Sequence, residues 1–294
     1  MSVGAILLAI RRRVGLRTEQ NRRRARRGWA VAAAAAVLVA VGCASVETTE
    51  PGVVGVDRRQ PMSALISEAD LNEGAADAYA QVLAEARAKS VLNRDAAQTA
   101  RVRSIAQRII PQTAAFRPDA RSWAWEVNVI DVEEINAWCM PGGKIAVYSG
   151  ILDRLQLTDA EAAAVIGHEI AHALREHGRE RASRAVTQGV ALSVLGAATG
   201  IDPGALDLAQ LALQVTLNLP NSREHEVEAD RIGVELAARA GYDPRAAVTL
   251  WQKMDRVRQG SPPAWLSTHP PSEARQRDLA VYAEKVMPLY RTGQ

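Results

Sequence analysis

Thr158, followed three residues later by Glu161, spells a capping box and starts a helix about ten residues ahead of His168. Residues 165–178, VIGHEIAHALREHG, therefore fall in the interior of that helix, and the fold must be arranged around whatever its two histidines face. Residues four apart lie one turn above each other on one helix face, so His168 and His172 can aim ring nitrogens at a single point. That point suits zinc, which takes neutral imidazole at about 2.0–2.1 Å. Glu169 is turned about 100° from His168, too far to be a third ligand but close enough to reach a water on the metal and accept its proton. The H-E-x-x-H spacing thus predicts a catalytic metal site.

A catalytic zinc needs a third protein ligand and an open position. A metzincin continuation would place Gly at 175 and His at 178, whereas the chain has Arg175 and Gly178. On a continuous helix the His177 ring points about 140° from His172, which makes His177 a partly exposed residue. Downstream, SREHEVEADRIG offers Glu224, Glu226 and Glu228. The helical neighbours of Glu226 are Ala229, Gly233 and Ala237, a face of small residues fit for close packing on another helix. Those of Glu228 are Arg231, Glu235 and Arg239, and Glu224 shares Glu228 and Arg231, so both read as solvated. Glu226 is the expected third ligand. Asp230, one turn on, is placed to accept the second N–H of a ligand imidazole, with a structural salt bridge to Arg as the plainer alternative. A closed structural zinc site would draw on several cysteines, and Cys139 is the only thiol besides Cys43.

The sequence pI near 9.1 raises the question of nucleic acid, but the basic charge is local. Residues 1–42 hold nine Arg and one Glu, which leaves 27 basic against 32 acidic side chains, about −5, for residues 43–294. No basic face remains for phosphate, and no nucleic-acid partner is expected. The leader RRRARRGWAVAAAAAVLVAVGC joins an arginine cluster to an apolar run of signal-peptide length. Residues 1–42 are expected to be a signal peptide. Ala40-Val41-Gly42-Cys43 resembles a bacterial lipobox, which implies lipidation of Cys43; a plain secretory signal or an anchor helix is the alternative. By resemblance to lipoprotein sorting, Ala44 and Ser45 imply the periplasmic face of the outer membrane, with the periplasm or an inner-membrane anchor as the other choices. Residues 43–61 then form a tether with little structure, and 62–294 the metallopeptidase domain.

Between Ser63 and Ile110 apolar residues recur at helical spacing, giving two helices joined near Asn93-Arg94. Trp123, Trp125, Val127 and Val129 alternate as in a strand; INAWCM and KIAVYSGIL, flanking Pro141-Gly142-Gly143, add two more. Residues 186–219 read as buried helices or a mobile lid. Glu226–Ala240 is helical, and Arg245–Tyr290 holds further helices broken by the loop GSPPAWLSTHPPSEA. The expected fold is α+β, mostly helical, with a small antiparallel sheet.

The motifs HEIAH, EVEAD, NAWCMPGGKIAVYSGIL, SREHEVEADRIG and STHPPSEAR together resemble the membrane-associated gluzincin metalloproteases, peptidase family M48. That family includes BepA, LoiP, HtpX, the mitochondrial Oma proteases and the CAAX prenyl proteases, and the layout is most similar to LoiP-like lipoproteins. The resemblance implies a zincin-like domain with one zinc per chain on His168, His172 and Glu226, and Glu169 as the base. Asp230 would stand behind a ligand and Arg223 near the cleft. The strand around Ile145 and Val147 would be the edge that pairs with substrate backbone, with Asn136 and Gly143 beside it. His269 matches a loop histidine that can block the metal or steady the oxyanion. The function implied is a zinc endopeptidase acting on unfolded or misassembled envelope proteins, with outer-membrane assembly machinery as a partner. The competing reading is a zinc-bound chaperone or assembly factor with latent protease activity.

Overall fold

The computed structural model describes residues 43–185, 187, 208–257 and 263–292. The leader and most of the 186–219 stretch lie outside these residues. Two helices open the body, α1 (Glu68–Ala88) and α2 (Ala96–Ile109), capped by Ser67 and Asp95 and separated where expected. Three strands follow: β3 (Glu126–Ile130), β4 (Ala137–Met140) and β5 (Lys144–Tyr148). The fold is mostly helical α+β, as expected, but the sheet is mixed rather than antiparallel throughout. The tight turn after Met140 folds β5 back antiparallel on β4, and β5 then inserts between β4 and β3, parallel to β3. Strands adjacent in sequence need not be neighbours in the sheet, and here β3 and β4 are not.

This order corrects the expected substrate edge. β5 is the central strand, so Ile145 and Val147 are paired on both sides and buried. The outer side of β3 is covered by residues 91–93: Asn93 N–H donates to Val129 O, and Asp131 N–H donates to Val91 O, each at 2.8 Å. β4 is the other outer strand of this sheet, and its four residues are buried.

After α3 (Ser149–Arg154), Thr158 caps α4 (Asp159–Leu174) through the reciprocal box with Glu161. A short helix α5 occupies 177–185, and α6 (Leu208–Leu213) runs into a π-helical turn at Gln214–Asn218. Ser222 caps α7 (Arg223–Arg239), and α8 (Ala246–Val257), α9 (Ala264–Thr268) and α10 (Glu273–Thr292) complete the described chain. α9 is a turn of helix inside what the sequence suggests is loop. Helices α4 and α7 cross at Gly167 and Gly233, where a Cβ on Gly167 would sit 2.7 Å from Gly233 O and one on Gly233 2.7 Å from His168 N. Two backbones can approach so closely only where side chains are missing. Among the described residues no helix is long and apolar enough to cross a membrane.

Residues 43–61 are structured, contrary to the tether reading. Cys43–Val46 (β1) pairs antiparallel with Gln60–Ser63 (β2), and Val54 N–H donates to the buried Glu235 carboxylate at 2.9 Å. This N-terminal strap covers the face of α7 that carries Glu228 and Glu235. Both are buried rather than solvated, because the strap replaces water there with Arg58 and backbone donors.

Candidate metal centre

α4 presents His168 and His172 with their Nε2 atoms 3.0 Å apart. The close crossing at Gly167 and Gly233 brings Glu226 of α7 against them, its carboxylate oxygens 3.6 Å from His168 Nε2 and 3.4 Å from His172 Nε2. His269, directly after α9, adds Nδ1 at 3.1 Å from His168 Nε2 and 3.0 Å from Glu226 Oε1. All four are buried, and one donor atom from each lies within 4.8 Å of the others. Three were expected together; His269 joins them as a fourth donor.

The second nitrogen of each α4 histidine is occupied. His168 Nδ1 lies 3.0 Å from Asp230 Oδ1, and Arg275 grips Asp230 with two hydrogen bonds of 2.7 and 2.9 Å. Burial alone would push the Asp230 carboxyl up, but the Arg275 guanidinium and the His168 ring hold it below the usual range. His172 Nδ1 lies 2.8 Å from His177 Nδ1, and His177 Nε2 is 3.0 Å from Glu228 Oε2. The carboxylates fix the tautomers: His168 donates through Nδ1, His177 through Nε2, and His172 through Nδ1. Two bare Nε2 lone pairs then face each other beside a carboxylate.

Acceptors converging in a dry site repel unless a cation lies among them. Burial keeps His172 well below its ordinary pKa, in the neutral form that ligates metals. Burial also opposes charge on His168, while its bond to Asp230 and the Glu226 carboxylate favour it and raise its pKa. Glu226 Oε2 touches Arg275 Nη1 at 2.7 Å, but without hydrogen-bond alignment, and it has no hydrogen-bond partner among the described residues. Two imidazoles, a third imidazole and a carboxylate form a donor set that fits zinc.

Glu169 Oε1 accepts the Trp265 indole N–H at 2.8 Å and lies 3.4 Å from His269 Nε2. With His172 and His269 it lines a cleft that Trp123, Cys139, Pro141 and Gly142 also line. The strand end along this cleft is β4, not β5. Asn136 turns instead to Glu134 at 2.9 Å, Gly143 holds φ +85° against Trp125, and Ile145 and Val147 sit inside the sheet; none of the four lines the cleft. Arg223 is exposed at the start of α7, and the arginine at the centre is Arg275, which stands in STHPPSEAR and which no local spacing singles out. His177 is fully buried rather than half-exposed. α4 ends at Leu174 and Glu176 takes φ +49°, so the chain restarts and turns His177 inward.

A helix pair that sets an H-E-x-x-H segment and a distal glutamate around one buried point defines the class of zincin-type metallopeptidases. The chain belongs to peptidase family M48, which it matches over residues 96–283, and the members of that family are zinc-dependent metalloproteases. It is 38% identical over 173 residues to the mitochondrial metalloendopeptidase OMA1 of Arabidopsis thaliana, covering 58% of this chain and 34% of that protein. OMA1 of Schizosaccharomyces pombe is 41% identical over 157 residues, 53% of this chain and 45% of its own length. The beta-barrel assembly-enhancing protease of Escherichia coli is 30% identical over 170 residues, 55% of this chain and 35% of its own. The chain thus spans less than half the length of these relatives.

Proposed function

We propose that this protein is a zinc-dependent endopeptidase that hydrolyses unfolded or misassembled proteins of the bacterial envelope, held there by lipid on Cys43. The observation that carries the catalytic part is the position of Glu169, a carboxylate next in sequence to one member of the donor cluster and facing the same cleft. His168, His172 and Glu226 would hold the metal. When bound, zinc supplies a Lewis acid that acidifies water and polarises a carbonyl. Glu169 takes one proton from the attacking water as its oxygen bonds to the scissile carbonyl carbon, then gives that proton to the amine as the C–N bond breaks. Trp265 holds the Glu169 carboxylate in place through its indole N–H. The outer edge of β4, which reaches the cleft at Cys139, would offer backbone groups to an extended chain, a mode of pairing that tolerates many sequences.

The envelope location rests on the arginine-rich leader and the Gly42-Cys43 ending, and the substrate class on the similarity to the beta-barrel assembly-enhancing protease. Outer-membrane assembly machinery as a partner has the same support. His269 favours a second reading, a latent protease or zinc-bound chaperone, because its ring fills the fourth donor place. Cleavage of casein by the zinc-loaded full chain tests both. Glu169→Gln should lower kcat at least about 10²-fold while zinc stays bound. If the parent binds zinc but does not cleave and His269→Ala does, the latent reading holds; if none of the three cleaves, the endopeptidase reading is wrong.

A further inference from the structure

The two α4 histidines are supported by two chains of different length. His168 rests on Asp230, which rests on Arg275. His172 rests on His177 at 2.8 Å and His177 on Glu228 at 3.0 Å, and Glu228 is clamped from two sides. Arg175 Nε donates to Glu228 Oε2 at 3.1 Å, and Arg58 of the strap reaches both Glu228 oxygens through Nε and Nη2. The clamp is itself braced. Arg175 Nη2 donates to Arg58 O at 2.7 Å, Arg58 donates to Glu180 at 3.1 and 2.9 Å, and Gln60 donates to Glu180 at 2.9 Å. His225 stacks on His177 with ring centres 4.2 Å apart and holds Glu180 at 3.0 Å, which fixes the plane of the relay ring.

With both rings neutral, one assignment of protons satisfies this chain. His177 must give its Nε2–H to a carboxylate, so its Nδ1 is an acceptor and His172 must donate from Nδ1. That leaves His172 Nε2 as a lone pair aimed into the donor cluster. A rotation of His177, or loss of the carboxylate behind it, frees His172 to turn its ring or to take the other tautomer.

We infer that His177 and Glu228 are positioning residues that set the tautomer and ring orientation of His172, and that Arg58 extends this control to the N-terminal strap. The strap is thereby part of the metal centre rather than a passive link to the membrane. The inference rests on the zinc site proposed above. It makes zinc affinity, and not only fold stability, depend on residues 43–63. A strap pulled away from α7 would unclamp Glu228 and loosen the second ligand without touching any donor atom.

The test uses the full chain in detergent, with zinc affinity measured by chelator competition and the visible spectrum recorded after cobalt substitution. The variants are His177→Phe, which keeps the ring volume against His225, Glu228→Gln, which keeps the shape, and Arg58→Met, in the partly exposed outer clamp. Glu161→Gln serves as the stability control: it breaks a buried ion pair on the same helix α4, to Lys253, with no link to His172. Glu228→Gln and His177→Phe should each weaken zinc binding roughly 10- to 100-fold and shift the cobalt bands, and the double variant should lose little more than either alone. Arg58→Met should lose less, in the same direction, and Glu161→Gln should lower the melting temperature of the zinc-free chain with zinc affinity unchanged. If the parent holds one zinc and Glu228→Gln and Arg58→Met hold it within about twofold of the parent, the relay is structural only and the inference falls. It falls equally if Glu161→Gln weakens zinc as much as they do. A parent that binds no zinc overturns the metal site itself along with the inference.

Discussion

Glu161 closes the capping box of α4 and also accepts Lys253 Nζ at 2.6 Å and the Thr249 hydroxyl at 2.8 Å. Burial opposes its charge, but Lys253 and the Thr158 and Thr249 donors win and hold its carboxyl below the usual range. The folded state therefore draws stability from Glu161 above its unfolded pKa of roughly 4.3, and that stability is lost as pH falls through the lower folded value. Glu161→Gln should cost about 1–3 kcal/mol near neutral pH and less below pH 4, read from urea unfolding across that range. Asp230→Asn keeps the size of the side chain but weakens the acceptor behind His168, so zinc affinity should fall roughly 10- to 100-fold by chelator competition. Single-residue chemistry was legible where it depends on local spacing. His168, Glu169 and His172 follow from one helix turn, Glu226 from the small residues beside it, and Asp230 from a further turn. Arg275 and Glu228 were not legible, because a guanidinium 45 residues from its carboxylate leaves no periodic trace, and the face of α7 bearing Glu228 looks solvated until the strap covers it.

At the scale of elements, the α4–α7 crossing places the metal ligands, and Gly233 permits it. Replacing a helical glycine by alanine ordinarily stabilises a helix by roughly 0.5–1 kcal/mol. Here the new methyl would meet the His168 backbone at 2.7 Å, so Gly233→Ala should destabilise by about 1–3 kcal/mol in urea unfolding of the zinc-free chain and should also weaken zinc binding. A stabilised variant with normal zinc affinity would show that the helices can separate freely. The sequence foretold the cap of α4 and the small-residue face of α7, since each is written within a few residues. It did not foretell where α4 ends. A glutamate with positive φ carries no warning in its side chain; a helix continued past Leu174 would turn His177 outward, whereas the fold turns it inward. The sheet failed for the opposite reason: β4 and β5 form the local hairpin that their turn announces, while the β3–β5 pairing is non-local.

For the molecule as a whole, the metal centre joins distant stretches of chain, and a bound cation would relieve the acceptors that face each other there. Removing zinc with a chelator should lower the melting temperature and returning it should restore it. A free zinc concentration of about 1,000 times the dissociation constant corresponds to roughly 4 kcal/mol of added stability. A melting temperature indifferent to zinc would argue that the cluster does not hold it. The strap adds a matter of timing. Arg58 lies 170 residues before Glu228, and Val54 lies 181 before Glu235. A ribosome delivers the N-terminus first, so Arg58 waits without its Glu228 partner while the next 170 residues are made. Such long-range closures come late and slowly. A newly made chain thus passes through a period in which the H-E-x-x-H helix can exist while its outer clamp cannot, and the metal centre can be finished only after Glu228 has been added.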